Sequence, residues 1–392
     1  MKTSNVITVQ QKDLLQAIDI VSKTTLGQKS SMEHGTPIFS CILFHVKSCF
    51  VMEVTGSDFF MHTTASVQLH DNKGEYCKFN LYVGDIAPVL RRLDDQKLTI
   101  EVHDKKAVFH HSYGSFTLPF VETEGAMDLF FSRVDRLETR GSDYWFDIEA
   151  PFFRSMIARM KNYIEPDYLL PMLGGICIRR KAGKIDYVGC NAHRLLCISK
   201  ADTECTFEST LLIPIKAVNI LRRIIPSAGT VHIDYSETVC HVHTENGIDF
   251  WFEPTEGRYP DYNKVIPEGA KYICRIRRGL LLRTLDRFSF LCDYSEIISA
   301  KISEDKISFA SKDKDFCIES AETLPCEYKD TSFTFGLKIP NFVPMLSGFR
   351  SKDILIHHTG NNAVGIILTP DAQTEDETVP ALFMPCSLGS EE

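Results

Sequence analysis

Three segments of this chain align without a gap: Leu81–Leu93, Leu212–Ile224 and Leu337–Phe349, with starts 131 and 125 residues apart. Each carries apolar residues at i, i+3, i+4 and i+7. These are Ile86, Val89, Leu90 and Leu93, then Ala217, Ile220, Leu221 and Ile224, then Phe342, Met345, Leu346 and Phe349. That spacing is one stripe on a helix of 3.6 residues per turn. One amphipathic helix packs on something and says nothing about function. Three collinear copies are the mark of a repeated architecture.

The copies extend beyond the helix. Lys97–Val102, Thr230–Tyr235 and Asp353–His358 alternate apolar and polar residues and then turn into a second apolar strand. An earlier stripe recurs as well: Leu14, Ala17, Ile18 and Val21, then Phe153, Met156, Ile157 and Met160, then Leu281, Leu285 and Phe288. Strand-like runs such as Phe39–Val46 and Gly175–Arg180 lie between the two helices of a unit. The expected fold is α+β: three tandem domains over residues 1–135, 142–265 and 268–392, each with two helices on antiparallel sheet. The polar stretches Arg133–Ser142 and Val265–Ala270 are the candidate linkers. Pro214 and Pro340 suit a first helical turn; Pro88 and Pro344 lie deeper and weaken their helices.

Composition narrows the class. The chain is 44% hydrophobic and 24% charged over 392 residues, which excludes wholesale disorder. No run reaches the roughly 18 apolar residues of a membrane span, and the segment after Met1 lacks the apolar core of a signal peptide. No membrane partner and a cytoplasmic location are expected. The 13 Cys are odd in number, scattered singly and never at C-x-x-C spacing. They read as free thiols in a reducing compartment, with no structural zinc.

Net charge is −9, yet the six helical segments 11–23, 81–93, 150–164, 212–224, 277–291 and 337–349 together carry +11, leaving −20 elsewhere. Basic helices on an acidic body suit a polyanion held on one surface and repelled from the others. Catalytic arrangements are missing: there is no P-loop, G-x-G-x-x-G, H-E-x-x-H or G-x-S-x-G. His241 and His243 share a strand face and could hold a metal, but two such His alone more often form a plain exposed pair. No catalytic residue, cofactor or metal is expected.

Glu256-Gly-Arg-Tyr-Pro-Asp-Tyr262, Asn191-Ala-His-Arg-Leu195 and Phe383-Met-Pro-Cys-Ser-Leu388 resemble the bacterial beta sliding clamp, the processivity subunit of DNA polymerase III. That family shows G-R-[FY]-P-D-Y, D-G-H-R-L and a C-terminal M-P-x-x-L. The three-unit organisation matches too, so the resemblance covers the whole chain. Asn191-Ala192 stands for the usual Asp-Gly and Ile215 for a common Arg. Gly389–Glu392 continues past the usual terminal Leu, as in a divergent member.

The resemblance implies a ring-forming, head-to-tail homodimer that encircles duplex DNA without reading sequence and has no catalysis of its own. Its partners would be the polymerase catalytic subunit, a clamp loader and other peptide-motif clients, in a nucleoid-associated cytoplasmic setting. Arg91, Arg154, Arg159, Lys161, Lys216 and Arg223 would face DNA. Leu173, His193, Arg194, Leu195, Pro260, Lys264, Val265 and Met384, with Pro385 and Cys386 at the rim, would line a client-peptide pocket. Phe116 would meet Phe290 and Leu291 of a second copy. Two other readings stay open: an enzyme on a repeated α+β scaffold with His193 and Arg194 in its pocket, and a clamp-like protein that has lost DNA binding.

Overall fold

All six expected stripes fall on helices, except that Leu93 and Phe349 lie just past the ends of theirs. The computed structural model describes residues 5–27, 37–73, 76–121, 126–167, 169–203, 205, 207–267, 269–291, 297–313, 318–360, 365–371 and 380–388. Over the first repeat these form β1 (Asn5–Gln10), α1 (Gln11–Val21), β2 (Cys41–Val46), β3 (Val51–Ser57), β4 (Met61–Lys73), β5 (Lys78–Tyr82), α2 (Val83–Leu90), β6 (Lys97–Val102), β7 (Lys106–His111), β8 (Gly114–Pro119) and α3 (Ala126–Glu138). The second gives β9 (Tyr144–Glu149), α4 (Ala150–Met160), β10 (Gly175–Lys181), β11 (Gly183–Cys190), β12 (Arg194–Asp202), β13 (Ser209–Pro214), α5 (Ile215–Ile224), β14 (Thr230–Tyr235), β15 (Cys240–Thr244) and β16 (Ile248–Phe252). The third gives β17 (Tyr272–Arg277), α6 (Arg278–Leu291), β18 (Ile298–Ser303), β19 (Lys306–Asp313), β20 (Ile318–Pro325), β21 (Phe333–Leu337), α7 (Ile339–Ser347), β22 (Asp353–His358), β23 (Ile366–Pro370) and β24 (Ala381–Phe383).

The stripe residues are buried: Leu14, Ile18 and Val21 on α1, Phe153, Met156 and Met160 on α4, Leu281, Leu285 and Phe288 on α6. Val89 and Leu93 are half-buried, and Leu93 follows the end of α2. Pro88 and Pro344 sit inside α2 and α7, and both helices are short. Pro340 lies in the first turn of α7, whereas Pro214 closes β13 just before α5.

One expectation fails. Arg133–Ser142 is not a linker through most of its length, because α3 runs to Glu138. Its Phe130 and Val134 pack with Phe39, Cys41 and Leu43, and Leu137 is buried too. The apolar residues at 130, 134 and 137 keep helical spacing, but charged neighbours dilute the pattern and no other repeat copies it. Val265–Ala270 has neither helix nor strand among its described residues.

The chain divides into two compact units, residues 1–154 with 219–254, and 155–218 with 255–392. In the first, twelve antiparallel strands form one sheet along β8-β7-β6-β1-β4-β16-β15-β14-β9, with β3, β2 and β5 branching from β4. In the second, eight strands run β13-β10-β11-β12-β24-β23-β22-β17, and four more run β20-β19-β18-β21. The larger sheets thus join strands of successive repeats: β4 pairs with β16, and β12 with β24. The described cysteines are all free, mostly buried among apolar side chains. No described helix is long and apolar enough to cross a membrane.

Candidate functional site

The predicted cationic residues lie where a helix leaves them after burying its stripe. On α4 and the turn after it, Arg154 and Lys161 are exposed and Arg159 is half-exposed, opposite Phe153, Met156 and Met160. On α5, Lys216 and Arg223 are exposed one above the other, seven residues apart, beside buried Ala217, Ile220 and Leu221. Arg154 donates to the Ile225 carbonyl at 3.4 Å, and Arg91 at the end of α2 is paired with Asp19 of α1. Arg222, also exposed, is a further cation on α5 that the sequence reading passed over. These faces suit phosphates, which Lys and Arg neutralise without reading bases.

Four of the residues expected around a peptide pocket, His193, Arg194, Leu195 and Met384, meet at one end of β12. Asn191 Oδ1 accepts from the His193 and Arg194 amides at 3.0 and 2.9 Å, and the Asn191 amide donates to the Arg194 carbonyl at 3.0 Å. This side-chain turn does without the usual Gly: among described non-glycine residues, only Asp305 has positive φ, so Ala192 fits unstrained. Arg194 and Leu195 then pair with Phe383 and Leu382 of β24, and the Met384 amide donates to the His193 carbonyl at 2.9 Å.

Gly257–Tyr262 line a cleft beside β10. Gly257 has φ +120°, which favours glycine, and a Cβ there would press on Met172 at 3.2 Å. The Asp261 carboxylate caps the short turn Tyr262–Lys264. The Tyr262 hydroxyl donates to buried Asp186 at 2.7 Å. Burial raises the Asp186 pKa, but hydrogen bonds from Ser199, Lys184 and Tyr262 outweigh it and hold the carboxyl below its ordinary value.

The predicted pocket residues divide by role. Leu195 is 2% exposed and belongs to a core cluster with Cys177, Val188, Leu212, Tyr262 and Leu382. Met384 packs against that cluster, as do Met172, Tyr259 and Ile266, which the sequence reading did not place in the pocket. Arg194 is buried, with its guanidinium on Glu165 and on the Pro340 and Asn341 carbonyls at 3.3 Å. His193, Pro260, Lys264 and Val265 are exposed and Leu173 is half-buried. Pro260 and Lys264 line a cleft of about 770 Å³ that also holds Arg179, Lys181 and Arg258. Pro385 and Cys386 line a separate depression of about 390 Å³ with Phe333 and Phe335.

Of the residues expected at a contact between copies, Phe290 is 83% exposed and Leu291 45%. Both lie at the end of α6. Phe116 is on β8, an edge strand, half-buried and stacked on Phe109 with ring centroids 4.9 Å apart. Gly389–Glu392 lie outside the described residues.

Comparison with known proteins agrees in sequence and fold. Residues 147–261 match the family described as the DNA polymerase III beta subunit, central domain. The Beta sliding clamp of Borreliella burgdorferi is 25% identical over 256 residues, spanning 63% of this chain and 64% of that protein. Among solved structures, the griselimycin-bound sliding clamp of Pseudomonas aeruginosa superposes with TM-score 0.87 at 19% identity, covering 98% of this chain and all of the other. The Helicobacter pylori beta clamp bound to a DNA ligase peptide gives TM-score 0.81 at 15% identity, with the same coverage.

Proposed function

We infer that this chain is a divergent member of the bacterial beta sliding clamp family and works as one, tethering a replicative DNA polymerase to duplex DNA without catalysing a reaction. The observation that carries this reading beyond the family is the charge distribution. Helical segments of an acidic chain hold the surplus of Lys and Arg, and the α4 and α5 cations are exposed or half-exposed opposite or beside their buried stripes. A clamp needs this: loose phosphate contacts that let DNA slide, and an acidic remainder that repels it. The enzyme reading is not favoured, since Arg194 is buried in ion pairing and helix anchoring.

The finer reading is that three clamp domains, residues 1–135, 142–265 and 268–392, close a ring as a head-to-tail homodimer placed on DNA by a clamp loader. Support comes from β8 and β20, which are sheet edges among the described residues and largely exposed, and from exposed Phe290 and Leu291. Client peptides would bind around Met384, His193 and Val265; that a clamp takes up peptides is supported by the Helicobacter pylori beta clamp, which is bound to a DNA ligase peptide. Met384 with Met172 supplies an adaptable apolar floor there. Arg194 and Leu195 shape that floor from beneath.

The test is retention on DNA. The chain loaded on a nicked circle should co-elute with it in gel filtration and be lost when the circle is cut. Lys216→Ala with Arg223→Ala should weaken direct DNA binding and reduce the salt slope by about one per lost phosphate contact. Retention on linear DNA, or a strong sequence preference, would refute the encircling mode.

A further inference from the structure

One face of the first unit's sheet is written in two cross-strand rows. Across β9, β14, β15 and β16 the first row runs Asp147, His232, His243, Asp249. The second runs Trp145, Asp234, His241, Trp251 and, on β4, His62. The intervening residues Val231, Ile233, Val242 and Phe250 face the core, so the alternation of the strands forces these polar side chains together.

Three of them converge. Asp249 Oδ1 stands 2.8 Å from His241 Nε2 and 2.8 Å from His243 Nδ1, and the three ligand atoms lie within 4.8 Å of one another. Donors held about 2.0–2.1 Å from a tetrahedral ion are separated by about 3.3 Å, so small side-chain shifts would admit one. Asp234 Oδ2 sits 3.0 Å from the other ring nitrogen of His241. A carboxylate in that place fixes the tautomer and orientation of a metal-binding imidazole. The Trp251 ring lies flat on His241, 3.7 Å between centroids and 8° between planes, and locks its swing. His243 and Asp249 are open to solvent, with side chains 47% and 32% exposed.

We propose that His241, His243 and Asp249 bind a divalent transition-metal ion of the zinc type, with Asp234 positioning His241 and water completing the coordination. Two imidazoles and one carboxylate select zinc, nickel, cobalt or copper over magnesium and calcium, which prefer all-oxygen sites. All the ligands stand on paired strands, so the site forms with the sheet. It is independent of the DNA-clamp reading. The bound ion would tie the β15–β16 hairpin together on the face turned away from the core.

Zinc titration of the full, tag-free chain by calorimetry tests this. One ion per chain is expected, with affinity lowered at least about tenfold in His243→Gln and in Asp249→Asn, and about 10–100-fold in Asp234→Asn. In a Trp145→Phe background, nickel should quench Trp251 fluorescence, and His243→Gln should abolish the quenching. His243 is exposed, so this variant should keep the wild-type circular dichroism spectrum, which separates lost ligation from lost fold. No zinc uptake by the wild type, or equal uptake by wild type and His243→Gln, overturns the site. That result would leave Asp249 as a carboxylate that merely bridges two imidazoles.

Discussion

Tyr262 shows how a short recognition motif acts through structure. Its hydroxyl reaches the Asp186 carboxylate across 76 residues of sequence, and both groups are buried. Removing a donor from a buried charged acceptor costs about 1.5–3 kcal/mol. Tyr262→Phe should therefore shift the urea transition of the second unit to lower denaturant. Asp186 titrates below its ordinary value when folded. Its contribution is complete above the ordinary carboxylate pKa and lost as pH falls through the depressed folded value. With one donor gone the folded value rises, so the variant's stability should fall less steeply in acid than that of the wild type. At Arg194 the family resemblance implies a cation beside a pocket. Only the fold revealed Glu165 and the carbonyls of α7 as its partners.

Among the elements, α3 carries the most instructive correction. Recurrence picks out what recurs, and among the described residues α3 has no counterpart in the other repeats. Its Asp128, Asp135 and Glu138 also break the rule that the helices are basic. Burial decides its role: Phe130 is 1% exposed and lies 5.8 Å from the Phe39 ring. Phe130→Ala should cost the first unit about 3–5 kcal/mol, read by thermal or urea unfolding. A linker residue would cost within about 0.5 kcal/mol. The stripes of α1, α4 and α5 were legible because each holds a full i, i+3, i+4 apolar set that buries as one face, whereas α6 keeps i, i+4 and i+7 with Thr284 buried between them.

On the scale of the whole molecule, two compact units stand where the sequence shows three repeats. Strand pairing links neighbours: β4 with β16 in one unit, β12 with β24 in the other. Exposed aromatic and aliphatic side chains at the end of α6 are the kind that anchor an interface. Leu291→Ala should weaken self-association by more than about 1 kcal/mol while leaving the monomer folded. Sedimentation velocity over a concentration series reads this directly, and wild-type chain that stays monomeric at the highest concentration would speak against the homodimer.

By itself the sequence determined the α+β class, the threefold repeat, the inward and outward alternation of β6, β14 and β22, and the cationic helix faces. Each of these follows from local periodicity, which fixes which side of a helix or strand is apolar. Tertiary structure decided which strands of successive repeats share a sheet, that Leu195 is core while His193 is surface, and that Asp249 and Asp234 stand beside the His241–His243 pair. Those depend on contacts made after long loops close. No periodicity within a single segment encodes which distant strand will lie alongside it.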